Sequence, residues 1–210
     1  MEKALIIPTY LPTITTMAVL IRAHHVVVEI QDNYQKQSYR NRTYINTANG
    51  RLGLTIPVKH NHNTVRKKTA DALIENNFLW QRQHWRSIQI AYRSSPFFEF
   101  YEDDLTELYH TEYEQLLDFN LKGIQLLFEM LNISKEFEMT TAYEKKPKSS
   151  DFRRLANAKK SNIPVAMPEY DQVFTQTTGF NGQVSVIDLI FNEGPNAVTF
   201  LQNLPVDQLK

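Results

Sequence analysis

The sequence predicts an α/β fold: a small N-terminal sheet, holding a parallel strand–helix–strand unit and a hairpin, packed by a middle group of α-helices. Three observations predict it. Two short apolar runs, Ala4-Leu5-Ile6-Ile7 and Val26-Val27-Val28-Glu29-Ile30, flank a segment in which Ile14, Met17, Ala18 and Ile21 keep helical spacing. A strand–helix–strand order of this kind makes parallel neighbours. Asn49-Gly50 then separates two extended runs, the strongest short-range signal for a hairpin. Finally, residues 78–131 repeat apolar and aromatic side chains at helical intervals.

In chain order, Pro8 stops the first strand, and Pro8-Thr9-Tyr10-Leu11-Pro12-Thr13 is a loop. The first helix covers 13–23, with Thr13, Thr15 and Thr16 all eligible to cap it. The second strand covers 25–30, the hairpin arms 43–47 and 51–58, and a further short strand 70–74. The polar stretch 60–68 reads as mobile. Phe78, Trp85, Ile88 and Tyr92 share one face of a helix over 78–93, and Pro96 separates it from another over 97–109. Leu117, Leu121, Ile124, Phe128 and Leu131 mark the clearest helix, 112–131. Ser185 and Asp188 fit a capping box that opens a helix over 185–192. Gly194-Pro195 ends it, and a last helix covers 196–204. This divides the chain into an α/β domain with helical cover (1–139), a polar basic connector, partly extended (140–183), and C-terminal helices packing back (184–210).

Composition narrows the function. The chain has 210 residues, of which 42% are hydrophobic, enough for one sizeable core. Its 23 basic and 23 acidic residues balance, which argues against a dedicated nucleic-acid binder. There is no cysteine, so disulfides, thiolate metal sites and cysteine nucleophiles are excluded. Neither a signal peptide nor a transmembrane segment is visible, and a cytoplasmic location is expected. His24-His25 and His60-Asn61-His62 lack helical ligand spacing and an accompanying acid cluster, so no metal is expected. No cofactor can be named.

Chemistry concentrates in the decapeptide 33–42, Asn-Tyr-Gln-Lys-Gln-Ser-Tyr-Arg-Asn-Arg, which holds three cations, two tyrosines and no acid. It follows a β-branched strand, and open α/β sheets bind ligands at the carboxyl ends of their strands. Lys36, Arg40 and Arg42 suit a phosphate or carboxylate, since guanidinium groups grip such oxygens with two hydrogen bonds. Tyr34 and Tyr39 suit stacking on a base or sugar, and Gln35 and Asn41 suit hydroxyl recognition. The alternative is a hairpin edge with solvated cations. Tyr10 lies in the loop after the first strand, where nucleotide-binding folds place backbone N–H groups against phosphate, although this loop has no glycine. His84, between Trp80 and Trp85, is the candidate proton carrier. Arg93 either joins the binding set or satisfies carbonyls at a helix end.

Taken together, Pro8-x-Tyr10-Leu11-Pro12, the decapeptide, Leu54-Thr55-Ile56-Pro57-Val58, residues 80–88, Ala91-Tyr92-Arg93-Ser94-Ser95-Pro96-Phe97-Phe98 and residues 185–195 resemble the WbqC-like family of bacterial proteins, in its short Bacteroides-type form. Its members are associated with lipopolysaccharide O-antigen and other surface-polysaccharide gene sets. The resemblance implies an enzyme of that biosynthesis, acting by group transfer on a nucleotide-activated or amino sugar. Its partner would then be a small anionic substrate, a nucleotide sugar or sugar phosphate. The alternative is a non-catalytic binding or scaffold protein of the same pathway. The chain departs from longer members in having Ile7 before Pro8, Thr16-Met17 where Gly-Tyr is expected, and a basic connector in place of a glycine-rich segment. The opening is also similar to that of nucleotidyltransferase-like α/β enzymes, with threonines where those carry phosphate-binding histidines.

Overall fold

A computed structural model describes residues 1–59, 67–158 and 165–209. The protein is mixed α/β, as the patterning predicts: a parallel four-stranded sheet, a two-stranded antiparallel hairpin, and helices around both. Strand β1 (Lys3–Ile6) leads through helix α1 (Ile14–Arg22) to β2 (His25–Val28), with Ala4 opposite Val26 and Ile6 opposite Val28. These four residues share one sheet face and join the main core with Ile14, Met17, Ala18 and Leu20. Helix α1 is buried over most of its length, because two C-terminal helices, α6 (Val186–Glu193) and α7 (Asn196–Asn203), cover its outer side. Thr13 is its cap, accepting from the Thr16 N–H at 3.2 Å.

Hairpin strands β3 (Arg42–Thr47) and β4 (Gly50–Thr55) pair from Arg42–Thr55 to Thr47–Gly50 around the turn residues Ala48 and Asn49. Gly50 has φ +89°, a conformation that a side chain at this turn would oppose. The strand expected at 70–74 is instead a 3-10 turn, Thr69–Asp71, followed by isolated bridges at Leu73 and Ile74. Thr69 gives its backbone N–H to the Asp32 carbonyl and its hydroxyl to the Asp32 carboxylate, which curls the segment away from a ladder.

Helices α2 (Trp80–Tyr92), α3 (Phe98–His110) and α4 (Leu116–Met130) form the middle group. Helix α4 begins four residues later than its apolar stripe suggests, because Glu114 and Gln115 are extended against Leu73 and Ile74. The stretch 137–183 holds more structure than its composition indicates. Strand β5 (Phe137–Met139) pairs with β2, and β6 (Ser150–Asp151) pairs with β1, completing the parallel order β5-β2-β1-β6. A 3-10 turn, Arg153–Ala156, follows β6, and a short helix α5 (Thr175–Thr178) lies further on. Strands of two and three residues leave no periodicity to read.

Helix α6 (Val186–Glu193) is capped by Ser185, but the capping box does not close. The Asp188 carboxylate turns into the interior, where it accepts from the Tyr170 hydroxyl (2.6 Å), the Gln172 amide (2.7 Å) and the Tyr92 hydroxyl (2.9 Å). Gly194, at φ +53°, ends the helix where an added Cβ would lie 2.6 Å from the Phe97 ring. Helix α7 (Asn196–Asn203) then packs on α1.

Candidate functional site

The four parallel strands all deliver their carboxyl ends to one rim, and a cleft of about 420 Å³ lies there. Chain order sends β1 to β2 on one side, while β6 enters on the other, so the connections part beside β1. Ligands of open α/β sheets bind at such a switch point. The cleft is lined by Ile7 after β1, Gln31 to Asn33 and Gln35 after β2, Tyr143 in the link between β5 and β6, and Arg153, Arg154 and Asn157 after β6, with Arg40 beneath. Amides, one tyrosine and three guanidinium groups therefore face one volume.

The guanidinium groups differ in what they already hold. Arg40 is buried against Asp32, with further bonds to Thr69 (3.3 Å) and Ser38 (3.2 Å). Arg153 forms a two-pronged pair with Asp151 (2.9 and 2.7 Å) and reaches buried Glu29 at 3.3 Å. Burial works to raise the Asp151 pKa, but the Arg153 side chain and N–H, with the charge of Arg154, hold it below the ordinary value. Arg153 also donates to the Glu144 carbonyl at 2.9 Å and lies 4.8 Å from the Tyr143 ring centre, fixing the loop above. Arg154 is exposed, donates to the Leu209 carbonyl at 2.7 Å, and forms no ion pair among the described residues.

The residues singled out from sequence scatter around this cleft. Gln35 and Arg40 line it. Lys36 is exposed beside it in sequence but not among its lining residues. Tyr34 is half-buried, and desolvation pushes its hydroxyl up to about 12 against the opposing charge of Arg40. Tyr39 is buried edge-on to Tyr44, its backbone tying Ala156 to Tyr10. Asn41 is buried, donating to the Ile56 carbonyl. Arg42 starts β3 and reaches Thr55 at 3.1 Å, and Arg93 is exposed at the end of α2. Thus the decapeptide is mostly a tertiary hub. The cations of a buried turn are drawn to the nearest acid, and Asp32 stands one residue before it. The pair His60 and His62, and most of the polar stretch 60–68, fall outside the described residues.

The expected proton carrier is not in the cleft. His84 is buried among Tyr10, Trp80 and Phe119: its Nδ1 accepts from the Tyr10 hydroxyl at 2.9 Å, and its other nitrogen faces the Thr55 carbonyl. Tyr10 in turn bonds Tyr109 at 2.8 Å. Desolvation lowers the His84 pKa from 6.5 to about 4, so the ring is neutral at physiological pH. The stability carried by the neutral ring is complete above its unfolded pKa and is lost as pH falls through the folded one. Urea unfolding of the wild type and His84→Gln checks this. The variant should be the less stable at pH 7.5, and the gap should shrink by about 3 kcal/mol on acidification to pH 4. A gap independent of pH would contradict a buried neutral ring.

Residues that sequence reasoning missed are Gln31, Asp32, Tyr143, Arg153, Arg154 and Asn157. One signal was available: Phe152, Leu155 and Ala156 interleave with the two arginines, and all three are buried. Apolar anchors at that spacing mark a docked turn rather than a solvated connector. Among the described residues, no three histidine or acid side chains gather to hold a metal, and no helix is long and apolar enough to cross a membrane.

Fold and site together define an α/β protein with a polar, cation-bearing cleft at the carboxyl rim of a parallel sheet. The model of the WbqC-like protein family matches residues 8–162, and the chain belongs to that family. The matched segment includes every cleft residue named above except Ile7. The chain is also similar to the uncharacterized protein Rv1507c of Mycobacterium tuberculosis (strain ATCC 25618 / H37Rv), at 25% identity over 195 residues, covering 80% of this chain and 84% of that one. No solved structure matches the chain.

Proposed function

We propose that the rim cleft binds an anionic sugar and that the chain works on it by group transfer in surface-polysaccharide assembly. The observation that carries this reading is the lining: Gln31, Asn33, Gln35 and Asn157 for hydroxyls, Tyr143 as a ring platform, and Arg154 for the anionic group. Side-chain amides match the donor and acceptor pairs of sugar hydroxyls, and a guanidinium fork matches an oxyanion. The polysaccharide context rests on the gene sets with which WbqC-like proteins are associated. A cytoplasmic site of action belongs to the same proposal.

One observation favours the non-catalytic alternative. Asp32, Glu29 and Asp151, the carboxylates nearest the cleft in sequence, are each held by an arginine, the first two also by a hydroxyl, and His84 lies elsewhere. A general acid or base needs a proton position facing the substrate. A binding or scaffold role needs only the lining.

The test is a thermal-shift panel of monosaccharides, sugar phosphates and nucleotide sugars. A cleft ligand well above its Kd should raise Tm by a few degrees. Gln35→Ala with Tyr143→Ala, both exposed, should remove the shift while leaving the unliganded Tm within about 2 °C. Incubation of each hit with the protein, followed by mass spectrometry, then separates transfer from binding. A panel without any shift would sink the sugar reading.

A further inference from the structure

The charges that line the cleft select among anionic sugars. Three guanidinium groups face it, yet Asp32 neutralises Arg40, and Asp151 with Glu29 neutralises Arg153. Arg154 alone of the three makes no ion pair among the described residues. Lys68, a neighbouring cation, donates to the Gln31 side-chain oxygen at 2.7 Å. Arg154 is thus the one guanidinium of the lining whose fork is not already closed on a carboxylate, and that fork suits one further carboxylate.

A second, independent feature points the same way. Sugar nucleotides carry a diphosphate, and α/β folds hold such groups on free N–H groups at the first turn after β1. Here that turn is filled from within the chain. The Ile14 N–H bonds the Val184 carbonyl at 3.3 Å, Val186 N–H bonds the Pro12 carbonyl at 2.8 Å, and Thr13 bridges Ser185. The Tyr10 N–H is taken by the Tyr39 carbonyl at 2.9 Å, Thr16 N–H is capped by Thr13, and Pro8 and Pro12 have no N–H to give. The segment before α6 occupies the place of the phosphates.

We infer that the anionic group taken by the cleft is a single carboxylate on the sugar ring, gripped by Arg154, rather than the diphosphate of a nucleotide-activated sugar. This rests on the reading of the cleft as a sugar site. The Leu209 carbonyl fixes one Nη2–H of Arg154 and leaves the rest of the fork for the carboxylate. The amides then read the ring hydroxyls, and a neutral sugar forfeits the charge-assisted pair.

Calorimetric titration of the full chain with glucuronate, its methyl ester, glucose and UDP-glucose tests the inference. Glucuronate should bind at least tenfold tighter than its methyl ester or glucose, and tighter than UDP-glucose. Arg154→Gln should erase the preference for the free acid, Arg154→Lys should keep part of it, and Arg86→Ala, on the outer face of α2, should leave it intact. UDP-glucose as the tightest ligand would overturn the inference while leaving the cleft a sugar site. Glucuronate binding unaffected by Arg154→Gln would overturn the role of Arg154. Failure of all four ligands to bind would remove the sugar site and the inference with it.

Discussion

Arg40→Ala is expected to lower the unfolding free energy by about 3–5 kcal/mol, because it leaves the Asp32 carboxylate buried without its cation. The Thr69 hydroxyl remains as a partner, but one neutral donor does not replace a charge. Replacing both partners by apolar residues of similar size, Arg40→Met with Asp32→Leu, should recover most of the loss, since the desolvation of both ions disappears with them. Arg42→Ala, which breaks bonds to Thr55 and Tyr44 at the edge of the hairpin, should cost less than about 1 kcal/mol. Urea unfolding of the three variants decides the matter. Were Arg40→Ala as stable as the wild type yet unable to bind sugar, Arg40 would be a ligand-facing group and not a tie between two loops.

Asp188→Ala should be of similar severity, about 3–5 kcal/mol, for a different reason. The carboxylate is 1% exposed and is held by neutral donors: Tyr92 from α2, and Tyr170 and Gln172 from the segment before α5. Removing it leaves hydroxyl and amide donors facing a void, each costing about 1–3 kcal/mol if unsatisfied. Asp188→Asn keeps the volume and one acceptor oxygen, so a loss nearer 1 kcal/mol is expected. Burial raises the Asp188 pKa despite those three bonds. Its folded pKa thus exceeds the unfolded one, and the stability it contributes is greatest at low pH and declines as pH rises through the folded value. This slope opposes that of His84. Asp188→Asn should remove it, which unfolding midpoints measured across pH 3–7 would show.

Much of the architecture was legible because it is written in local periodicity. The β1–α1–β2 opening, the hairpin at Asn49-Gly50 and the three middle helices depend on residues close in sequence, and helical or alternating spacing records which side each face buries. The errors share one cause. Strands β5 and β6 are too short for a pattern and exist because β2 and β1 offer backbone partners. Helix α4 starts late because residues far back in the chain claim Glu114 and Gln115. Asp188 leaves its capping box because Tyr92 and Tyr170 offer it better partners.

The candidate site divides along the same line. By itself the sequence determined the family, the α/β class, and the placement of a polar, cation-rich stretch straight after a buried strand. Only the tertiary structure decided which cation faces the cleft. Arg40 meets Asp32, and Arg153 meets Glu29 from 124 residues away, while Arg154 makes no ion pair among the described residues. Charge is visible residue by residue, but its neutralisation is a contact between distant segments, and no local pattern encodes that.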